Sequence, residues 1–168
     1  NACAPISPFA MNVQFFLASL VFTLIVWLIM SAGSIAMDRK ACNSPHTILF
    51  LMNALVFSLG CAAIGFFIGR LVKSQDGLAA VCNVVALGSS FISGVFVPQW
   101  LLGKTVLGIA RFTPTYWYVK GNDIIARLAS FEVFRMKPAF VAMVMQLVFI
   151  LVFLIGAMVP RRSKKVCA

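Results

Sequence analysis

Long apolar tracts separated by short polar links set the plan of this chain. Residues 1–37, 77–103 and 138–160 contain no Asp, Glu, Lys or Arg, and residues 41–69 are interrupted only by His46 near their start. Each tract exceeds the roughly 20 residues that a helix needs to cross a hydrocarbon core of about 30 Å. The pattern predicts spans at about 13–35, 47–69, 78–97 and 139–159. Four spans put both ends of the chain on one side. The first is apolar on every face, with Phe15, Phe16, Phe22, Trp27 and Ile29 distributed around it, as a lipid-embedded helix is.

Between the third and fourth spans the pattern changes. After Pro98, residues 99–112 mix Trp100, Leu101, Val106 and Ile109 with Gln99, Lys104 and Arg111. A helix there would reach roughly 20 Å, too short to cross. It is expected to dip into the membrane or lie on it. Pro114 then interrupts it, because the residue before a proline is pushed out of the α region. Tyr116, Trp117 and Tyr118 supply rings that favour the headgroup level. Residues 98–120 therefore read as a re-entrant or interfacial helical hairpin. Beyond it, Ile124, Leu128, Phe131 and Phe134 recur at helical spacing, predicting an amphipathic surface helix over residues 122–137. The fold class is thus all-α integral membrane, one membrane domain over residues 1–168.

Composition agrees. Of 168 residues 62% are apolar and 11% charged, with mean hydropathy +1.01, which excludes a water-soluble domain, where roughly 25% charged residues are usual. The net charge of +10 comes from clusters flanking the apolar tracts, so anionic lipids rather than nucleic acid are the expected partners. Arg161, Arg162, Lys164 and Lys165 follow the last span and favour a cytoplasmic C-terminus. Arg39, Lys40, Lys104, Arg111, Lys120, Arg127, Arg135 and Lys137 collect on the opposite side, so charge alone leaves orientation open. The chain begins at Asn1 rather than Met, without the charged stretch of a signal peptide, and reads as the C-terminal part of a longer protein.

Individual residues add detail. Gly65 and Gly69, one helical turn apart, form a notch for close helix packing, within the chain or at a subunit interface. Residues 70–77 form a polar turn, either a plain solvated link or a docking surface. Asn83, Ser89, Ser90 and Ser93 lie at membrane depth and must face protein or a watery path; Asn53 and Gln146 are expected hydrogen-bond partners for them. Gly103, Lys104 and Thr105 imitate the tail of a P-loop, but Pro98 stands where its leading glycine belongs and removes a donor the phosphate cradle needs. Cys3, Cys42, Cys61, Cys82 and Cys167 lack metal-site spacing, and His46 reads as an interfacial residue, so no metal site is expected. No nucleophile and base pair up for catalysis, and Asp38, Asp76, Asp123 and Glu132 all lie outside the spans, which disfavours an ion-coupled carrier.

Residues 83–126, NVVALGSSFISGVFVPQWLLGKTVLGIARFTPTYWYVKGNDIIA, followed by a last span and a basic tail, closely resemble the C-terminal half of the type-two permease family of ABC transporters. The resemblance implies six spans in the whole protein, of which these are the last four. It implies that Gly94, Pro98, Gln99 and Trp100 lead into a re-entrant gate and that Pro114, Tyr116, Trp117 and Tyr118 lead out of it. Family topology would place the gate outside the cell membrane and the C-terminus in the cytoplasm. Arg70, Leu71, Val72, Lys73, Ser74, Gln75 and Asp76 would then contact an ATP-binding cassette subunit. The implied function is that of a permease subunit of an ATP-driven exporter, paired with a second permease subunit as a homo- or heterodimer. ATP and Mg would be bound on the partner subunit, with no cofactor and no catalysis in this chain. The alternative is a non-transporting membrane scaffold or assembly protein of the same ancestry.

Overall fold

The computed structural model of the protein describes residues 8–37, 44–72, 74–128 and 133–158. Among the described residues every regular element is helical: α1 (Pro8–Met37), α2 (Pro45–Leu71), α3 (Gln75–Ser93), α4 (Lys104–Ala110), α5 (Pro114–Ala126) and α6 (Val133–Met158), with a 3-10 turn at Gln99–Leu101. Four helices are long and apolar enough to cross a membrane, over Val13–Met37, His46–Leu71, Gln75–Ser93 and Met136–Met158. Even α3, with 19 residues, measures roughly 28 Å.

Local chemistry sets the helix ends. At α2, Ser44 accepts from His46 N–H and a proline opens the first turn, while Arg70 sits in the last turn beside the negative end of the helix. The Ser74 hydroxyl accepts from Gly77 N–H at 3.3 Å and starts α3. That helix stops at Gly94, whose φ of 99° is left-handed, with its N–H returned to Ser90 O.

The single helix expected over residues 99–112 is divided. Leu102 and Gly103 are extended, separating the 3-10 turn from α4. The physical reason is the Gln99 side chain, which is drawn back to Ser93 O and Tyr116 O and holds the first turn against the end of α3. With 7 and 13 residues, α4 and α5 reach roughly 10 and 20 Å, short of the membrane core.

The amphipathic helix expected over residues 122–137 is not one element either. Residues 122–126 complete α5 and residues 133–137 open α6, while residues 129–132 lie outside the described residues. Of its apolar residues, Ile125 is buried with Leu49, Ala139 and Met143, and Ile124 and Leu128 pack against them, while the side chains of Phe131 and Phe134 lie outside the described residues. Ile124, Ile125 and Leu128 thus help close the core instead of lying along the surface.

α2, α5 and α6 form the packed centre, with α1 leaning on α2 and α3 standing against α4, α5 and α2. Close approach occurs at Gly121, where a Cβ would stand 3.0 Å from Asn53 Nδ2, and at Gly156, where it would stand 3.0 Å from the Phe67 ring. Among the described residues the notch expected at Gly65 and Gly69 is not used, since nothing lies within 4 Å of either Cβ position. Phe16 and Phe66, edge to face with centroids 5.4 Å apart, meet between α1 and α2 beside those glycines.

One polar cluster holds the centre. Asn53 Nδ2 donates to Tyr118 O at 3.0 Å and to Asn122 Oδ1 at 2.8 Å, and Gln146 Nε2 donates to Asn53 Oδ1 at 2.8 Å. These bonds join α2, α5 and α6. Asn53 and Gln146 therefore bond to each other, and Asn53 to α5, not to the polar residues of α3, while Gln146 Oε1 is buried without a partner among the described residues. Asn83 is exposed on α3. Ser89 bonds Ala86 O in its own helix. Replacing Asn53 by Ala removes the donor from two part-buried acceptors and the acceptor from the buried Gln146 amide, and thermal unfolding in detergent is expected to show a loss of about 1–3 kcal/mol.

Candidate functional site

The two stretches singled out in the sequence lie at opposite ends of α3. At its C-terminal end a second polar cluster ties the short helices to the span. Gln99 Nε2 donates to Ser93 O at 2.8 Å and to Tyr116 O at 3.2 Å. The Thr113 hydroxyl donates to Ala110 O at 2.7 Å, which commits its proton, so Ser93 is the donor in the 2.9 Å bond between the two hydroxyls. Thr113 also accepts from Tyr116 N–H as the N-cap of α5, directly before Pro114. Pro114 thus begins a helix as well as ending the preceding one. A Cβ on Gly94 would stand 2.5 Å from Gln99 Cγ, so glycine is needed there for space as well as for its φ.

The aromatic step is not uniform. Tyr116 is 5% exposed and sits edge-on to Trp117 at 5.4 Å. Tyr118 stacks on Phe57 of α2 with centroids 4.3 Å apart, so its ring faces the bundle. Trp117 Nε1 donates to Arg111 O at 3.0 Å, closing the loop between α4 and α5. Lys120 Nζ lies 5.1 Å from the Trp117 ring centre and 5.8 Å from that of Tyr116. Trp100 is 76% exposed and Pro98 is exposed, so neither joins the cluster.

At the other end of α3 the turn is short and braced. Val72 N–H returns to Ile68 O, and Leu78 N–H to Ser74 O. Ser74, Gln75 and Asp76 are exposed, while Arg70 and Val72 are half-buried. Lys73 lies outside the described residues, as do Arg161, Arg162, Lys164, Lys165, Cys3, Cys42 and Cys167.

Sequence reasoning missed two contributions. His46 Nε2 lies 2.9 Å from Leu128 O and Nδ1 lies 3.0 Å from Ser44 Oγ, so this residue joins the start of α2 to the end of α5. Thr113 was also overlooked; a threonine directly before a proline that opens a helix is a capping signal present in the sequence. Among the described residues no group of three or more His, Cys, Asp or Glu could hold a metal ion.

Four membrane-length helices, with two shorter ones folded against one end, define a multi-pass α-helical membrane protein. The sequence matches the family model described as ABC-2 type transporter over residues 3–125. The chain belongs to this family and is the membrane component of an ABC transporter, a class that works with an ATP-binding subunit. No curated protein and no solved structure matches it.

Replacing Gln99 by Leu leaves the Ser93 and Tyr116 carbonyls without this donor. Amide hydrogen exchange across residues 94–103 is expected to rise roughly tenfold, with exchange in the middle of α2 unchanged.

Proposed function

We propose that the chain is the permease subunit of an ATP-driven exporter in the cell membrane. In this reading the turn over residues 70–76 and the C-terminus face the cytoplasm, and α4 and α5 lie at the outer surface. A second permease subunit, identical or related, completes the pathway. Anionic lipids surround both subunits. The ATP-binding cassette subunit carries ATP and Mg, and this chain supplies no catalytic group.

The observation that carries the reading is that α3 links an exposed, braced turn at one end to the hydrogen-bonded cluster at the other. Closure of the ATP-binding subunits shifts the spans only if ATP binds one of their two arrangements more tightly. A push on Ser74, Gln75 and Asp76 enters α3 at its first turn. At the far end, Ser93 is bonded to Thr113 and Gln99, so axial movement of α3 reaches α4 and α5 directly. Those helices, with Gly94 and Pro114 as their fixed turning points, then act as the outer gate.

Two experiments test the parts separately. The pair Gln75→Trp and Asp76→Lys alters exposed positions beyond the Ser74 cap; co-purification of the ATP-binding subunit is expected to fall while expression stays normal. Undiminished co-purification would contradict a contact at this turn. The pair Thr113→Val and Pro114→Leu removes the cap and the φ restriction together. Here the ATP-binding subunit should remain bound while ATP-dependent efflux from reconstituted vesicles is lost. Normal efflux from that variant would exclude the gating role. A wild-type complex that assembles and hydrolyses ATP yet exports nothing would support the scaffold alternative.

A further inference from the structure

Two apolar crevices open on either side of Phe66 near the end of α2. The larger, about 490 Å³, runs between α1 and α2 past Phe22, Gly65 and Gly69. The smaller, about 120 Å³, lies between α1, α2 and α6 beside Leu154 and Met158. Phe66, edge-on to Phe16, forms the wall between them, and both crevices reach Arg70. Arg70 is half-buried and makes no ion pair among the described residues.

We propose that Arg70 and the paired crevices bind one two-chain anionic phospholipid, with its phosphate on the guanidinium and an acyl chain in each crevice. The chemistry follows from the arrangement. A planar guanidinium matches two phosphate oxygens at once and is more weakly hydrated than an ammonium, which suits the membrane boundary. Its position in the last turn of α2 puts it at the end of a span, where a long cationic side chain reaches the headgroups. Two apolar channels diverging from one cation correspond to a molecule with one anionic head and two hydrocarbon arms. A single-chain amphiphile fills only one channel. Another helix, about 10 Å across, cannot enter the smaller one. The open space at Gly65 and Gly69, unused for helix packing, is the floor of the larger channel. This inference requires only that the spans cross a membrane and does not depend on the ATP-coupled reading.

The test uses the full-length chain in nanodiscs of mixed phosphatidylglycerol and phosphatidylcholine, with retained lipid counted by native mass spectrometry. The wild type is expected to retain phosphatidylglycerol in preference to phosphatidylcholine. The pair Gly65→Leu and Gly69→Leu fills the larger channel and leaves Arg70 in place; Arg70→Gln removes the cation and leaves both channels. Each is expected to lower phosphatidylglycerol retention about fivefold, with Arg70→Lys losing less. Equal retention of the two lipids by the wild type, or unchanged retention in Arg70→Gln, would overturn the proposal. So would a photo-reactive group at Ser19 that crosslinks to protein and not to lipid. Arg70 also belongs to the turn assigned to the ATP-binding subunit, but the nanodiscs hold this chain alone, and Gly65 and Gly69 lie outside that turn, so failure of that contact leaves the lipid result readable.

Discussion

An amide in hydrocarbon has no water to turn to, and leaving it unpaired costs several kcal/mol. The side chain of Asn53, fully buried among α2, α5 and α6, meets that requirement by using both amide protons and its oxygen on partners from the other two helices. The partners fix geometry as well as energy. Tyr118 O and Asn122 Oδ1 are one helical turn apart on α5, so the amide can reach both only if α5 crosses α2 at this point. Gly121, between them, permits the approach, because any side chain there would meet the amide at about 3 Å. Most of the packed centre follows from this one contact: Phe57 on Tyr118, Ile125 against Leu49, and α6 drawn in through Gln146.

α5 is therefore held from two directions. Its Tyr116 carbonyl accepts from Gln99 at the end of α3, and its Tyr118 carbonyl accepts from Asn53 on α2. His46 adds a third tie through the Leu128 carbonyl just beyond the helix. In each case a polar side chain from elsewhere seeks out backbone on a helix too short to cross. The short helix thus has two roles. It provides part-buried acceptors for polar side chains of α2 and of the turn at Gln99, and it links the end of α3 to the centre of the bundle.

The long apolar tracts were legible because lipid permits few alternatives: an uncharged tract of membrane length forms a helix. The shortness of the stretch after Pro98 and the break at Pro114 were legible for similar reasons of length and backbone geometry. The division at Leu102 and Gly103 was not, since it depends on Gln99 reaching the Ser93 and Tyr116 carbonyls, one of them 17 residues away. The fate of residues 122–137 was also hidden. Their apolar spacing suits a surface helix or the closing of a core, and only the position of Ile125 against Leu49 and Met143 decides between them. Glycine spacing misled in the same way: Gly65 and Gly69 carry the familiar interval, yet the close approaches occur at Gly121 and Gly156, where the opposing side chains are Asn53 and Phe67.

Polar ties and apolar contacts divide the spans into two kinds. α2, α5 and α6 share the Asn53 cluster, and separating them would strand several buried polar atoms together. α1 meets α2 through apolar surface, with Phe16 on Phe66, and the buried indole nitrogen of Trp27 has no hydrogen-bond partner among the described residues. Cavities of about 370 and 490 Å³ lie along that same seam. Without a hydrophobic driving force between helices in lipid, such a seam rests on shape alone, and here the shapes leave gaps. α3 is intermediate, little buried along its length but bonded firmly at its end through Ser93. A conformational change that keeps the Asn53 cluster intact must therefore move α1 or α3 against α2, α6 and the part of α5 bonded to Asn53, with α4 and the first turn of α5 free to follow α3. Among the described residues, only α3 of these two has a hydrogen-bonded connection to the short helices at the far end.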